Sequence, residues 1–484
     1  MEYGLLSLNG TKQRGLYTAL LILSIIIGIS VLFFPFYVPL LLLFSILLIF
    51  FITEKPESGL IMAVLSTPLM NVMLGYGHHP SSVSFYEKYN FLIVDIVLII
   101  TIIAIAIGRV TEKVEPFKRH NVDMPILILT VYSALTLLWA KELTYGFCIL
   151  LQFLSCILLF YTPVILLRGK RILKTILWLW LLSGVFAGVI ALTTLYVKFE
   201  DLDLFNYKFY LGKNLFYFHT IILENIKQRV GGLADPNRMS FLFNTVLMSG
   251  LALFLTIKKR SLKVLITILT LFVLYVDIHT LSKGGYGSLF FTFIIYVMIH
   301  PRFKGRQLKT LAFFFAVFII LFMVMAAIDL GGGLGRFGQS PVEVKGSTSL
   351  ALRFKWWSVD FDALLKTNGL GAGIGGLSDY IFAYAQSSYF SLLGELGLIG
   401  SFIALWLVLT YSTDLYSIMK TIKGDNLYFT AALSFTGCVV IFFIHSLVDF
   451  SYILRIPWLM AGLAVATAKL GLHSETYKPG ENTI

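Results

Sequence analysis

Charge is scarce in this chain. Asp, Glu, Lys and Arg supply 13% of its 484 residues, about half the ~25% of an ordinary soluble domain. That scarcity excludes a soluble globular fold. Cysteine is scarcer still. Cys148, Cys156 and Cys438 all lie inside apolar runs, so they read as buried thiols, with no disulfide and no metal-ligand spacing. No carboxylate-rich cage, nucleotide-binding motif or nucleic-acid motif is visible, so no metal, cofactor or nucleic-acid partner is expected. No internal repeat, heptad pattern or low-complexity tract divides the chain.

Hydrophobic residues make up 58%. Apolar runs of about 18 residues or more are long enough to cross ~30 Å of hydrocarbon. Runs of this kind, some of them shorter, fall near 15–34, 36–53, 58–75, 91–109, 124–140, 145–167 and 174–197. Others fall near 239–257, 262–280, 285–300, 309–329, 387–413, 427–446 and 451–469. They predict an all-α polytopic membrane protein of about 12–14 transmembrane helices, one membrane domain over 1–484. The first run follows Lys12 and Arg14. It is too long for a signal peptide, lacks a small-residue cleavage site and leads into a second span, so it reads as a retained helix.

The net charge of +12 is unevenly placed. The connections "RVTEKVEPFKRH" (109–120), "RGKRILK" (168–174), "KKRSLK" (258–263) and "HPRFKGRQLK" (300–309) are basic. The alternate ones, "AKELTYG" (140–146) and "HTLSKGG" (279–285), carry one Lys each. The positive-inside rule then assigns the basic connections and both termini to the cytoplasm of a cell membrane. Two long connections, 198–238 and 330–386, fall on the opposite, periplasmic or extracellular, face. Both mix charge, aromatics and glycine, unlike a disordered polar tail, and loops of that length tend to be functional.

The polar residues gather on that face. "RVGGLADPNRMSF" (229–241) sets Arg229 before a Gly-Gly pair, and Asp235-Pro236-Asn237 has the form of a helix start. "HTLSKGGYGSL" (279–289) sets Lys283 between Ser282 and Gly284-Gly285. In "SLALRFKWWSVDFDALLKTNGLGAGIGG" (349–376), Arg353, Trp356, Trp357, Phe361 and Leu364 recur at helical spacing, predicting an amphipathic surface helix. The "GLGAGIGG" that follows does not succeed a strand, so it is not a dinucleotide fingerprint. His445 in "HSLVDF" (445–450) reads first as a packing histidine. Asp449 and Arg455 read as a pair, and Asp95 as a carboxylate reaching the surface. Two Arg and a Lys without a metal cage suit a phosphate or pyrophosphate, which Arg binds bidentately.

These motifs, in this order, resemble the O-antigen ligase and polymerase superfamily, membrane glycosyltransferases that use undecaprenyl-pyrophosphate-linked glycans. Arg229 to Leu233 is similar to that family's Arg-x-x-x-Leu, and 235–237 to its Asp-Pro-Asn-like turn. Ser282 to Gly285 resembles its Ser-Arg-Gly-Gly turn, with Lys283 for Arg. Arg353 and Trp357 resemble its Arg-x-x-x-Trp. Ser387, Gly397 and Gly400 fit the ligase pattern of His, then Asn, Ser or Gln, nine residues and Gly-x-x-Gly; the His falls on Gln386. The resemblance covers roughly 220–450.

The resemblance implies pyrophosphate binding by Arg229 and Arg353, supported by Lys283, with Asn237 and Trp357 on the substrate side. Gln386 contacts the acceptor sugar but cannot take its proton. Three readings follow: a polymerase, whose members do not all share the ligase His and for which acceptor positioning matters more than a strong base; another base, such as His279, His445, Asp379 or Glu395; or an inactive protein. The first is favoured. The expected activity is a polymerase joining lipid-pyrophosphate-linked repeat units of a surface or wall polysaccharide. A ligase serving a different acceptor is an alternative, and a transporter or flippase of the lipid-linked sugar is a second. A transporter would place its ionisable residues near the bilayer midplane. Expected partners are the undecaprenyl-pyrophosphate-linked glycan, membrane lipid and a candidate chain-length regulator.

Overall fold

The computed structural model describes residues 37–69, 72–76, 90–110, 114, 119–196, 206–211, 214–220, 229–231, 233–312, 316, 349–379, 387–422, 426–449 and 452–476. The expected spans at 15–34 and most of 309–329 lie outside them, as do Gln386 and the C-terminal tail. The chain forms two compact units, Met1–Ser58 with Ile99–Val114, and Gly59–Leu98 with Glu115–Ile484. Every site residue discussed below belongs to the second.

The fold is that of an all-α polytopic membrane protein. In chain order the helices are α1 (Tyr37–Glu54), α2 (Glu57–Ser66), α3 (Ile93–Val110), α4 (Asp123–Leu135), α5 (Leu143–Leu166), α6 (Lys170–Tyr196) and α7 (Pro236–Thr256). They continue with α8 (Arg260–His279), α9 (Lys283–Ile299), α10 (Ser349–Lys366), α11 (Ser388–Thr421), α12 (Leu427–His445) and α13 (Arg455–Thr476). Among the described residues, eight are long and apolar enough to cross a membrane: α3, α5, α6, α7, α8, α11, α12 and α13. Their starts follow local chemistry. Asp235 caps α7 by accepting from the amides of Asn237 and Arg238 at 3.0 and 3.4 Å, with Pro236 in the first turn. Ser282 caps α9 through Gly285 N, and Asn426 caps α12 through Phe429 N. Each side-chain oxygen satisfies an amide that the helix leaves open.

Helix α7 is the centre, buried almost all round, and packs on α6, α8 and α12; α12 in turn packs on α9 and α13, and α13 on α5. Lipid tails are as apolar as leucine, so close approach at small residues holds such a bundle. A Cβ at Gly184 of α6 would meet Val246 at 2.5 Å. The buried indole Nε1 of Trp180 reaches Thr245 Oγ1 at 3.2 Å, tying the same two helices.

Three expectations are corrected. The span near 58–75 ends early: α2 stops at Ser66, and 72–76 is strand β1. Pro68 lacks an N–H and disfavours helix in the residue before it. The second difference is a small antiparallel sheet, which the sequence reading did not foresee, in the order β2–β1–β4–β3, where β2 is Asn90–Leu92, β3 Asn206–Leu211 and β4 Asn214–Thr220. β3 and β4 pair antiparallel within 198–238, Leu211 opposite Asn214. Third, Arg455 pairs with Asp95, by Nε to Oδ1 at 2.9 Å and Nη2 to Oδ2 at 2.7 Å. Asp95 is 1% exposed, so it does not reach the surface. A two-pronged guanidinium–carboxylate contact is what lets both charges be buried.

Candidate functional site

Helix ends from four parts of the chain meet around Asn237. Its Oδ1 accepts from Arg229 Nη2 at 2.7 Å and from Ser282 Oγ at 3.1 Å, and its Nδ2 donates to Asp449 Oδ2 at 2.5 Å. The donor-only guanidinium on one side and the carboxylate on the other fix the amide orientation. Arg229 is held again by Nε, which donates to Thr280 O at 2.8 Å, and its segment by Val230 N, which donates to His279 O at 3.0 Å. A guanidinium has five N–H donors. Two are spent on these bonds, and the other three make none among the described residues.

The Gly-Gly after Lys283 is steric. A Cβ at Gly285 would lie 2.0 Å from Ser240 Oγ, and one at Gly284 would lie 3.0 Å from His445 Cδ2 and Val448. The N-terminus of α9 therefore sits directly on α7 and α12. Its first-turn amides and Arg229 make one electropositive corner, the geometry that favours an anion. Arg353 on α10 lies within electrostatic reach of both Arg229 and His445. Burial pushes the Arg229 guanidinium down from its ordinary range, and Arg353 adds to this; Asp235, Tyr286 and Asp449 oppose it. Two like charges held this close lose their repulsion when an anion sits between them.

The structure thus brings Arg229, Asn237, Ser282, His445 and Asp449 together, with Arg353 close by. Lys283 starts α9 with its side chain exposed. His445 is buried, its ring against Phe241 with centroids 6.4 Å apart. His279 is turned back on its own helix, Nδ1 on Tyr275 O at 2.9 Å and the rings 4.5 Å apart. Trp357 stacks on Phe390, with centroids 4.9 Å and planes 14° apart. Gln386 lies outside the described residues. Its neighbour Ser387 donates to Ser446 O at 3.0 Å, and Ser388 N reaches the same carbonyl at 3.2 Å. Ser387 and Ser388 therefore adjoin the residue after His445.

The amphipathic helix is present as α10, but its stripe divides. Phe361 is exposed, whereas Leu364 and Asp360 are buried. The buried Asp360 carboxyl has no hydrogen bond among the described residues. Burial and the Glu395 charge push it up to about 8, so it keeps its proton at neutral pH. Glu395 Oε2 accepts from Tyr452 Oη at 2.7 Å. The sequence reading missed Asp360 because its spacing fits the amphipathic stripe as well as Phe361 does.

The glycine run after α10 closes a break in α11. Gly397 has φ +67° and interrupts the helix. Gly394 O accepts from Ala372 N at 2.7 Å, Glu395 O from Gly373 N at 2.9 Å and Leu396 O from Tyr132 Oη at 3.1 Å, while Leu398 N donates to Gly369 O at 2.9 Å. Every second residue of the run is a glycine at positive φ: Gly369 +86°, Gly371 +80°, Gly373 +85° and Gly375 +70°. L side chains rarely adopt this conformation. Beside α11 lies an apolar cavity of about 460 Å³, lined by Phe153, Phe160, Leu392 and Leu405 and also by Ser388 and Ser446 next to the cluster. Compared with known proteins, the chain matches no family model and no curated sequence.

Proposed function

We propose that this chain is a membrane glycosyltransferase of the kind the sequence resembles, a polymerase of lipid-pyrophosphate-linked oligosaccharide repeat units on the outer face of the cytoplasmic membrane. One observation carries the reading: Arg229, held at Thr280 O and Asn237 beside the N-terminus of α9, keeps three donors unspent among the described residues, and Arg353 from a separate connection lies within electrostatic reach of it. In this reading the corner takes the pyrophosphate and offsets the charge that grows on it as the glycosyl bond breaks. The acceptor hydroxyl forms the new bond to the sugar carbon that pyrophosphate leaves. Its proton passes to a base in the cluster, for which Asp449 is the carboxylate at hand, and Gln386 orients the acceptor sugar. The apolar cavity along α11 gives the lipid tail a place beside the corner.

The test is to incubate the purified protein with a lipid-pyrophosphate-linked oligosaccharide pool and resolve the products by size. A ladder of repeats on lipid is the expected result. A single shifted product on another acceptor would mean a ligase. Binding of the lipid without any glycan product would mean a transporter.

A further inference from the structure

Next to the arginine corner, three buried polar side chains gather around Gly285 and Thr280. Ser240 and Asn244 lie one turn apart on α7, and Asp277 lies in the last turn of α8; all three are 0% exposed. Asn244 Nδ2 donates to Gly285 O at 2.9 Å, which fixes the amide and leaves Oδ1 as an acceptor with no donor. Ser240 Oγ fills the place a side chain at Gly285 would take. Ser240 and Thr280 flank the Asp277 carboxyl, but neither meets it with good hydrogen-bond geometry, and both of its oxygens lack a donor.

The neighbouring hydroxyls are committed elsewhere. Thr280 donates to Asp277 O at 2.6 Å and Tyr286 to Ile278 O at 2.5 Å. Arg229 is anchored at Thr280 O and Asn237, and none of its hydrogen bonds among the described residues goes to Asp277. Among the described residues, Asn244 Oδ1 and both Asp277 oxygens thus lack a donor, and the Ser240 hydroxyl beside the carboxyl makes no hydrogen bond. A bare carboxylate in such a place is costly, the more so in the last turn of a helix, where the dipole is negative.

The geometry points to a small monovalent cation of the sodium type, bound among Asp277, Ser240 and Asn244. The donors are all oxygen, which suits a hard cation. The single carboxylate matches one positive charge, where divalent ions gather several. Thr280 joins this site to the corner above: its hydroxyl bonds the Asp277 main chain and its carbonyl holds Arg229. An occupied site thus steadies the anchor of Arg229. None of this depends on the glycan-transfer reading.

Sodium chloride is titrated into the purified full-length protein, with ionic strength held by N-methyl-D-glucamine chloride, and the thermal midpoint is read on both sides of neutral pH. The expected result is a saturable rise with sodium, absent from Asp277→Asn and shifted to higher sodium in Ser240→Ala. A wild-type midpoint that follows pH but not sodium would mean that Asp277 simply carries a proton, and would overturn the site. An Asp277→Asn protein that keeps the sodium response would overturn it too. Ser240→Ala removes only a hydroxyl, so it decides the matter if Asp277→Asn does not accumulate: an unchanged sodium titration there rejects the proposal.

Discussion

Two glycine-rich turns of this protein use their polar groups in opposite ways. In the run 369–376, main-chain groups of Gly369, Gly371, Ala372, Gly373 and Ile374 all meet partners on α11, Trp139 or Thr136. At Gly284-Gly285, the close packing instead frames a corner in which, among the described residues, three donors of the half-buried Arg229 stay open. The first turn is a seam, the second a receptacle. Glycine content alone does not separate them; the fate of the neighbouring hydrogen-bonding groups does.

The contrast is broken most severely at the seam. A Cβ at Gly397 would fall 2.3 to 2.4 Å from the backbone of Gly369 and Leu370, and would sit at positive φ. Gly397→Ala is expected to leave little folded protein, as seen by size-exclusion chromatography of the detergent extract; a normal monodisperse peak would mean that the break in α11 is dispensable. Next is the buried pair. Asp95→Leu is expected to cost about 3–5 kcal/mol, whereas Asp95→Leu with Arg455→Met restores most of it, measured by denaturation in detergent. Equal losses in the single and double variants would show that the ion pair is not the cause.

The receptacle answers to activity instead. Arg229→Ala is expected to lower turnover about 10²–10³-fold, the usual cost of one donor to a developing anion, in a protein that still inserts and purifies as a folded species. Wild-type product lengths from that variant would remove Arg229 from the chemistry. The smallest effect concerns Asp360. Its carboxyl is raised from 3.8 to about 8, so the folded state holds a proton that the unfolded chain releases. Stability attributable to this group is fully present below the ordinary carboxylate range, falls as pH rises toward about 8, and then levels off. Asp360→Asn should flatten that slope in a midpoint-against-pH series. A slope unchanged by the substitution would assign it to another group.

The membrane helices were legible because about 18 apolar residues in a row have few other readings, and the start of α7 because Asp-Pro-Asn names its own cap. The sheet was not. Its strands are short, lie in connections between spans and pair β1 with β4 across a wide stretch of sequence, which local alternation does not reveal. Asp95 was misjudged for the same reason: its partner Arg455 is 360 positions away. At the site, Arg229, Arg353 and Asn237 were read as ligand-binding residues. The structure adds that Asn237 fixes Arg229 in place and that Asp449 completes the set, relations that only the assembled helix ends create.

The alternation of glycines in 369–376 has a consequence for how the chain tolerates insertion. Positive φ recurs at every second residue from Gly369 to Gly375, so the segment has a reading frame of two. Adding or deleting a single residue ahead of it would slide Leu370, Ala372 and Ile374 into the places the glycines hold, with all the side-chain overlap at once. A change of two residues would preserve the parity. The length of this connection is therefore constrained in steps, as if it were counted in pairs.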